Sequence, residues 1–138
     1  MPGKPKTNLT SARLRYLLTF ANLEQTLGKK GVRCIDVAVR LGVARPSVCR
    51  MLASFEKDGL IMQDNGRLFH TTPEGRELVD GYLLQYHQIY PLFRDCLRLS
   101  EFDSEECAVI LLSSLEPAIL EHLCKNLLDL SKERPDCL

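Results

Sequence analysis

From Thr10 to Leu27 apolar residues return at the spacing of one helix face. Leu14, Leu17, Leu18 and Ala21 fall together, with Phe20, Leu23 and Leu27 beside them. Asn8, Thr10 and Ser11 offer oxygens to the unpaired N–H groups of a first turn, and Gly28 and Gly31 end the pattern. A short second helix is expected at about 35–41, and Gly42 after it supplies the freedom that a sharp helix-to-helix turn demands. Pro46 then stands at a first helical position, where its missing N–H costs nothing. Val48, Leu52 and Phe55 repeat at i, i+4 and i+7 with Met51 beside them, while Ser47, Arg50, Ser54 and Lys57 point elsewhere and Gly59 closes the helix. Two short helices joined through glycine, the second with a polar N-terminal face, make a helix-turn-helix.

The period then changes. Residues 60–63 and 68–71 flank Asp64-Asn65-Gly66-Arg67, and Asn65-Gly66 predicts a hairpin closed by a type I′ turn with positive φ at both central residues. A hairpin directly after such a helix reads as a wing. Thr72 caps, and Pro73 opens, a long helix through Leu78, Val79, Tyr82 and Tyr86 toward Tyr90, where Pro91 kinks or ends it. Leu92 to Leu99 is a short helical piece and 100–103 a connecting loop. Asp103 or Ser104 caps a helix running to Leu115, and Pro117 opens a last helix carrying Leu120, Leu123, Leu127 and Leu130. The leucine stripes of these helices, and the face of Tyr82, Tyr86 and Tyr90, need cover from within the chain or across a two-fold axis. The expected fold class is mainly α with a small β-wing. A flexible basic tail (1–9) precedes a winged helix-turn-helix domain (10–76), and a helical dimerisation domain (77–138) follows it.

Composition excludes wholesale disorder and fibrous classes, with 45% hydrophobic and 26% charged residues. The net charge of zero conceals a split. Residues 1–76 hold 13 Lys and Arg against 6 Asp and Glu, whereas 77–138 hold 5 against 12. A basic front half suits a polyanionic partner such as double-stranded DNA. The longest apolar run, Cys107 to Leu112, is far short of the ~20 residues of a membrane span, so no membrane partner is expected. Met1 to Lys6 has no apolar core after it and does not read as a secretory signal. The six cysteines contain no C-x-x-C pair, and long helices need no staple, so reduced thiols and a cytoplasmic location are expected.

Two blocks of residues carry a family resemblance. The first is Asp36-Val37-Ala38, Leu41-Gly42-Val43, Pro46-Ser47-Val48 and Leu52 to Leu60; the second is Leu68 through Thr72-Pro73 and Gly75. Together they resemble the DNA-binding domain of the metal-dependent repressors typified by the diphtheria toxin repressor and the manganese transport regulator. The likeness continues through the long helix with His87 into Ser104-Glu105-Glu106, covering about residues 10–130. It implies a homodimer on palindromic operators, switched by Mn(II) or Fe(II). Of the positions that the resemblance gives to metal ligands, His87 and Glu116 keep a donor, whereas Ala12, Arg15, Ser113 and Pro117 stand at the others. It therefore implies a reduced metal site and weak metal dependence.

Arg45, Pro46, Ser47 and Arg50 begin the second helix of the helix-turn-helix, whose N-terminal residues meet base edges and phosphates in the major groove. Arg50 suits a guanine O6/N7 edge and Ser47 a phosphate, while Arg67 at the wing tip suits a neighbouring backbone or minor groove. Cys49, beside Arg50, is read as a packing residue. Glu121 and Cys124 share a helix face, but His122 points about 100° away, so they are not expected to form a site. No nucleophile–base grouping or glycine-rich phosphate loop appears, and the chain is not expected to be an enzyme. Two alternatives keep the fold: a metal-independent regulator, and a winged-helix protein-interaction module.

Overall fold

The computed structural model describes residues 9–133, apart from the side chain of Lys29. The basic tail expected at 1–9 lies, except for Leu9, outside the described residues. The fold is mainly helical with a two-stranded antiparallel sheet, a winged helix joined to a helical half. Helix α1 spans Ser11–Leu27, α2 Cys34–Leu41 and α3 Arg45–Lys57. Strands β1 (Ile61–Gln63) and β2 (Phe69–Thr71) follow, then α4 (Pro73–Pro91), α5 (Glu101–Ser114) and α6 (Pro117–Glu133). The chain forms two compact units. One is Arg15–Gly81; the other combines the described residues before Arg15 with those from Tyr82 onward. Both boundaries fall inside helices, so α1 and α4 each belong partly to either unit.

Within Arg15–Gly81 the expected stripes become core. Leu17, Phe20, Val37, Val48, Leu52 and Phe55 are buried, whereas Leu18 is only half-buried and Leu27 exposed. Thr10 Oγ1 accepts from the Arg13 N–H at 3.2 Å and so caps α1. The Arg33 N–H donates to Asp36 Oδ2 at 2.9 Å and its guanidinium to Oδ1 at 3.1 Å, closing the first turn of α2. Partial burial raises the Asp36 pKa, but these bonds outweigh it and hold the carboxyl below its ordinary value. Gly42 ends α2 in the left-handed region, φ 66°, and its N–H returns to Ala38 O, which is what lets α3 leave at a sharp angle.

The wing forms where expected, with Ile61 opposite Thr71 and Gln63 opposite Phe69. A third segment that periodicity could not reveal joins it: Val32 exchanges both backbone hydrogen bonds with Phe69, at 2.9 and 2.8 Å. Behind the wing, Glu24 of α1 accepts from the Thr71 N–H and hydroxyl, both at 2.8 Å, and pairs with Arg76 of α4 at 2.6 Å. These bonds tie α1, β2 and α4 together around the largely shielded Glu24 carboxylate, and hydrogen bonds to a charged group are the stronger kind. Thr72 caps α4 by accepting from the Gly75 N–H at 3.0 Å.

Three details depart from expectation. The turn is not type I′, because neither Asn65 nor Gly66 has positive φ; the left-handed residue is Arg67, φ 64°. Asp64 dictates this, since its Oδ1 accepts from the N–H groups of Gly66 and Leu68, and its backbone oxygen accepts from the Arg67 N–H. After Pro91 the chain widens into a π-helical turn, Leu92–Cys96. Helix α5 begins at Glu101 rather than after a loop through 103, because Ser100 Oγ accepts from the Asp103 N–H at 3.0 Å. Glu101 and Asp103 then lie in a first turn that favours negative charge. Ser104, offered as a cap by its sequence position, is instead buried inside α5.

Candidate nucleic-acid interface

Helix α3 buries Val48, Leu52 and Phe55 and leaves Arg45, Pro46, Cys49, Arg50, Ala53, Glu56 and Lys57 exposed. At 100° per residue those exposed positions fall within one arc of the helix, so a single face carries three cations, the Glu56 carboxylate and small side chains. Ser47 is half-buried beside that face. Ala44 sits at the N-cap with no side chain to cap, and Pro46 removes one N–H from the first turn. Helix α3 therefore presents a positively charged, uncapped N-terminus, a geometry suited to phosphate oxygens. Arg67 is exposed at the wing tip.

The wing is held by groups that sequence reasoning missed. His70 Nε2 lies 2.8 Å from Asp64 Oδ2, and the other carboxylate oxygen takes the turn N–H groups. The His70 bond first, then those from Leu68 and Gly66, hold the Asp64 carboxyl below its ordinary value. Its contribution is thus complete above the usual carboxylate range and is lost as pH falls through the lowered pKa. The available signal was the six-residue separation of an acid and a histidine across a hairpin, which places them side by side only once the loop length is known.

The left-handed backbone at Arg67 has a measurable cost. A non-glycine residue there gives up ~1 kcal/mol, partly offset by the larger unfolded-state entropy that glycine brings. Arg67→Gly is expected to gain ~0.5 kcal/mol in urea unfolding while removing the tip cation. A loss of stability instead would show that contacts of the Arg67 side chain outweigh its backbone strain.

Cys49 is exposed, not packed as its sequence context suggested. Its neighbours leave it on the outward face of α3 because Val48 and Leu52 take the core positions.

The candidate metal ligands are not brought into a cluster. His87 is exposed on α4, its ring 5.9 Å edge-on from Tyr86, which stacks on Tyr90 at 5.5 Å. Glu116 is exposed between α5 and α6. Among the described residues no group of three or more His, Cys, Asp or Glu side chains is placed to hold a metal ion. Mn(II) and Fe(II) draw on more donors than such a pair supplies, so these residues do not fit the site that the resemblance implies. Glu121 and His122 are exposed and Cys124 buried on α6. No helix among the described residues is long and apolar enough to cross a membrane.

The chain matches no protein-family model and no curated protein. Its fold matches solved structures described as regulators. The manganese regulator SloR superposes with a TM-score of 0.72 at 20% identity, over 86% of this chain and 54% of that one. The metal-dependent transcriptional regulator MtsR gives 0.70 at 19%, over 88% and 55%. The chain thus spans about half the length of these two. A hypothetical protein from Sulfolobus solfataricus gives 0.62 at 19% identity, with 86% of this chain covering 89% of that one. At these identities the likeness defines the fold: a winged helix-turn-helix with a helical half, as in metal-dependent repressors.

Proposed function

We propose that the chain is a DNA-binding transcriptional regulator of the metal-dependent repressor type, acting in the cytoplasm as a homodimer on a palindromic operator. The observation that carries this reading is the exposed face of α3, with Arg45, Pro46, Arg50 and Lys57, next to a wing tipped by Arg67. In this reading α3 enters the major groove, Arg50 reads a base, Ser47 and Arg45 hold phosphates, and Arg67 reaches a flanking backbone. The uneven charge along the chain supports it. So do the regulators of the same fold. A 10–76 DNA-binding domain and a 77–138 dimerisation domain remain the proposed division of labour. Exposed Phe102, Ile110, Ile119 and Leu128 in the helical half give a second copy an apolar surface to cover.

Metal control is the part that this chain modifies. His87 and Glu116 are the residues proposed to meet a metal, yet among the described residues no group of three or more such donors is placed to hold one. We therefore favour regulation with little metal dependence. Selection from random duplex DNA in the presence of a chelator tests both points. A palindromic site is expected, bound by a dimer in sedimentation. Adding Mn(II) or Fe(II) should change affinity by less than about tenfold, ~1.4 kcal/mol of coupling. Failure to enrich any duplex, with binding to a protein partner instead, would favour the interaction-module reading. A metal effect of about a hundredfold that His87→Ala abolishes would restore metal control.

A further inference from the structure

The wing holds its tip cation in a strained backbone conformation, and one acid–base pair does the holding. Arg67 sits at φ 64° between Gly66 and Leu68, whose N–H groups both donate to Asp64 Oδ1, at 2.8 and 3.0 Å. The Arg67 N–H donates to the Asp64 backbone oxygen at 3.1 Å, and the Gln63 side chain donates to Arg67 O at 3.2 Å. The carboxylate is itself oriented by His70, whose Nε2 lies 2.8 Å from Oδ2. On its other side the imidazole is pressed against Gly31, where a Cβ would come 2.7 Å from His70 Cε1 and 2.8 Å from Nε2. Gly31, ring, carboxylate and turn thus form one chain of contacts that ends at the wing tip.

We propose that Asp64 and His70 are positioning residues for DNA binding, a proton-dependent clasp that sets the Arg67 cation and takes up a proton when the wing meets phosphate; this rests on the DNA-binding reading above. Imidazole is the side chain whose charge changes between about pH 5 and 8. Uncharged, it offers Asp64 a donor only in the tautomer that carries hydrogen on Nε2. Charged, it carries hydrogen on both nitrogens, and the bond becomes a charge-assisted one. The Asp64 carboxyl, held below its ordinary value first by the His70 bond, stays ionised across that range. A protonated pair is then neutral in sum, whereas an unprotonated one sets an anion beside a polyanion. Phosphate therefore favours the protonated pair, and by linkage protonation favours phosphate.

The other charged groups around the ring do not replace this partner. Among the described residues they are Lys30 and Arg33 on either side of Gly31, Arg67 in the turn, and Glu24 and Arg76 at the neighbouring Thr71. Arg33 pairs with Asp36 at 3.1 Å and Glu24 with Arg76 at 2.6 Å, so Asp64 is the acid that His70 meets. Met62, opposite His70 on β1, does not titrate.

The test uses the full chain and the selected duplex, with fluorescence anisotropy read at about pH 6 and about pH 8 in one salt. The parent is expected to bind about threefold or more tightly at the lower pH. His70→Gln keeps an N–H donor for Asp64 but cannot take a charge. It should bind like the parent at the higher pH and lose the gain at the lower one. Asp64→Ala removes an anion from a surface that meets a polyanion, so charge alone predicts tighter binding. Positioning predicts binding about tenfold weaker, because the turn that sets Arg67 is untied. Asp64→Ala binding as tightly as the parent, or more so, overturns the positioning role. The parent's pH dependence persisting in His70→Gln overturns the proton coupling, and that variant decides even where Asp64→Ala does not fold. A parent whose affinity ignores pH overturns the coupling and leaves the DNA-binding reading standing, whereas a parent that binds no duplex at either pH overturns both.

Discussion

Gly75→Ala is expected to unfold ~10 °C or more below the parent, while Gly81→Ala, six residues along the same helix, unfolds at or above it. Both positions lie in α4, where alanine is worth up to ~1 kcal/mol over glycine if nothing else intervenes. At Gly81 nothing does: a Cβ there meets no atom within 4 Å. At Gly75 a Cβ would run into the Leu60 carbonyl oxygen and come 2.8 Å from its carbon. Those are backbone atoms and cannot swing aside. The same carbonyl accepts from the Thr72 N–H at 3.0 Å, and the Thr72 hydroxyl donates to Gly59 O at 2.6 Å, so the first turn of α4 is pinned to the chain entering β1 from both sides. Relieving the overlap means parting those segments, a cost on the order of 3 kcal/mol or more that outweighs the helix propensity gained. Urea or thermal unfolding of the two variants against the parent decides it. A Gly75→Ala protein as stable as Gly81→Ala would show that α4 does not seat on Leu60.

That glycine marks the boundary of what sequence reading reached. The pattern Thr72-Pro73 placed a helix start, and the structure has it there, because capping is local chemistry between residues three apart. Why Gly75 follows is not local at all, since the obstructing atom belongs to Leu60. The same division runs through the molecule. The stripes of α1 and α3 were legible because burial repeats with the helix, and Val48, Leu52 and Phe55 are buried as their spacing demands. Asn65-Gly66 marked a hairpin correctly but named the wrong turn, since the Asp64 carboxylate and His70 choose its geometry. At α5 a stronger cap one turn upstream, Ser100, displaced the expected start. For the candidate interface, the cations were found as a helix N-terminal group. Cys49 was read as packing beside its apolar neighbour, but Val48 takes the core position and turns the next residue outward.

Arg50→Ala should lower affinity for the selected operator by ~1–3 kcal/mol, on the order of tenfold to a hundredfold, and relax preference at one base position of each half-site. Arg45→Ala should instead weaken all duplexes alike and flatten the salt dependence. The difference follows from where each stands on α3. Arg45 is the first helical residue, beside the uncapped turn that suits phosphate, while Arg50 lies further along the exposed face, able to reach into a groove. A bidentate guanidinium to a guanine edge discriminates among bases; a cation on phosphate does not. Phosphate contacts also set the salt response, because each releases condensed counterions. With about six such contacts across a dimer, affinity drops about a thousandfold between roughly 50 and 200 mM salt. Fluorescence anisotropy over that range with parent, Arg45→Ala and Arg50→Ala separates the roles. Operator binding by Arg50→Ala with the strength and selectivity of the parent would remove Arg50 from the base-reading surface. A parent affinity indifferent to salt would remove DNA from the proposal altogether, since no cationic face grips a polyanion without displacing its counterions.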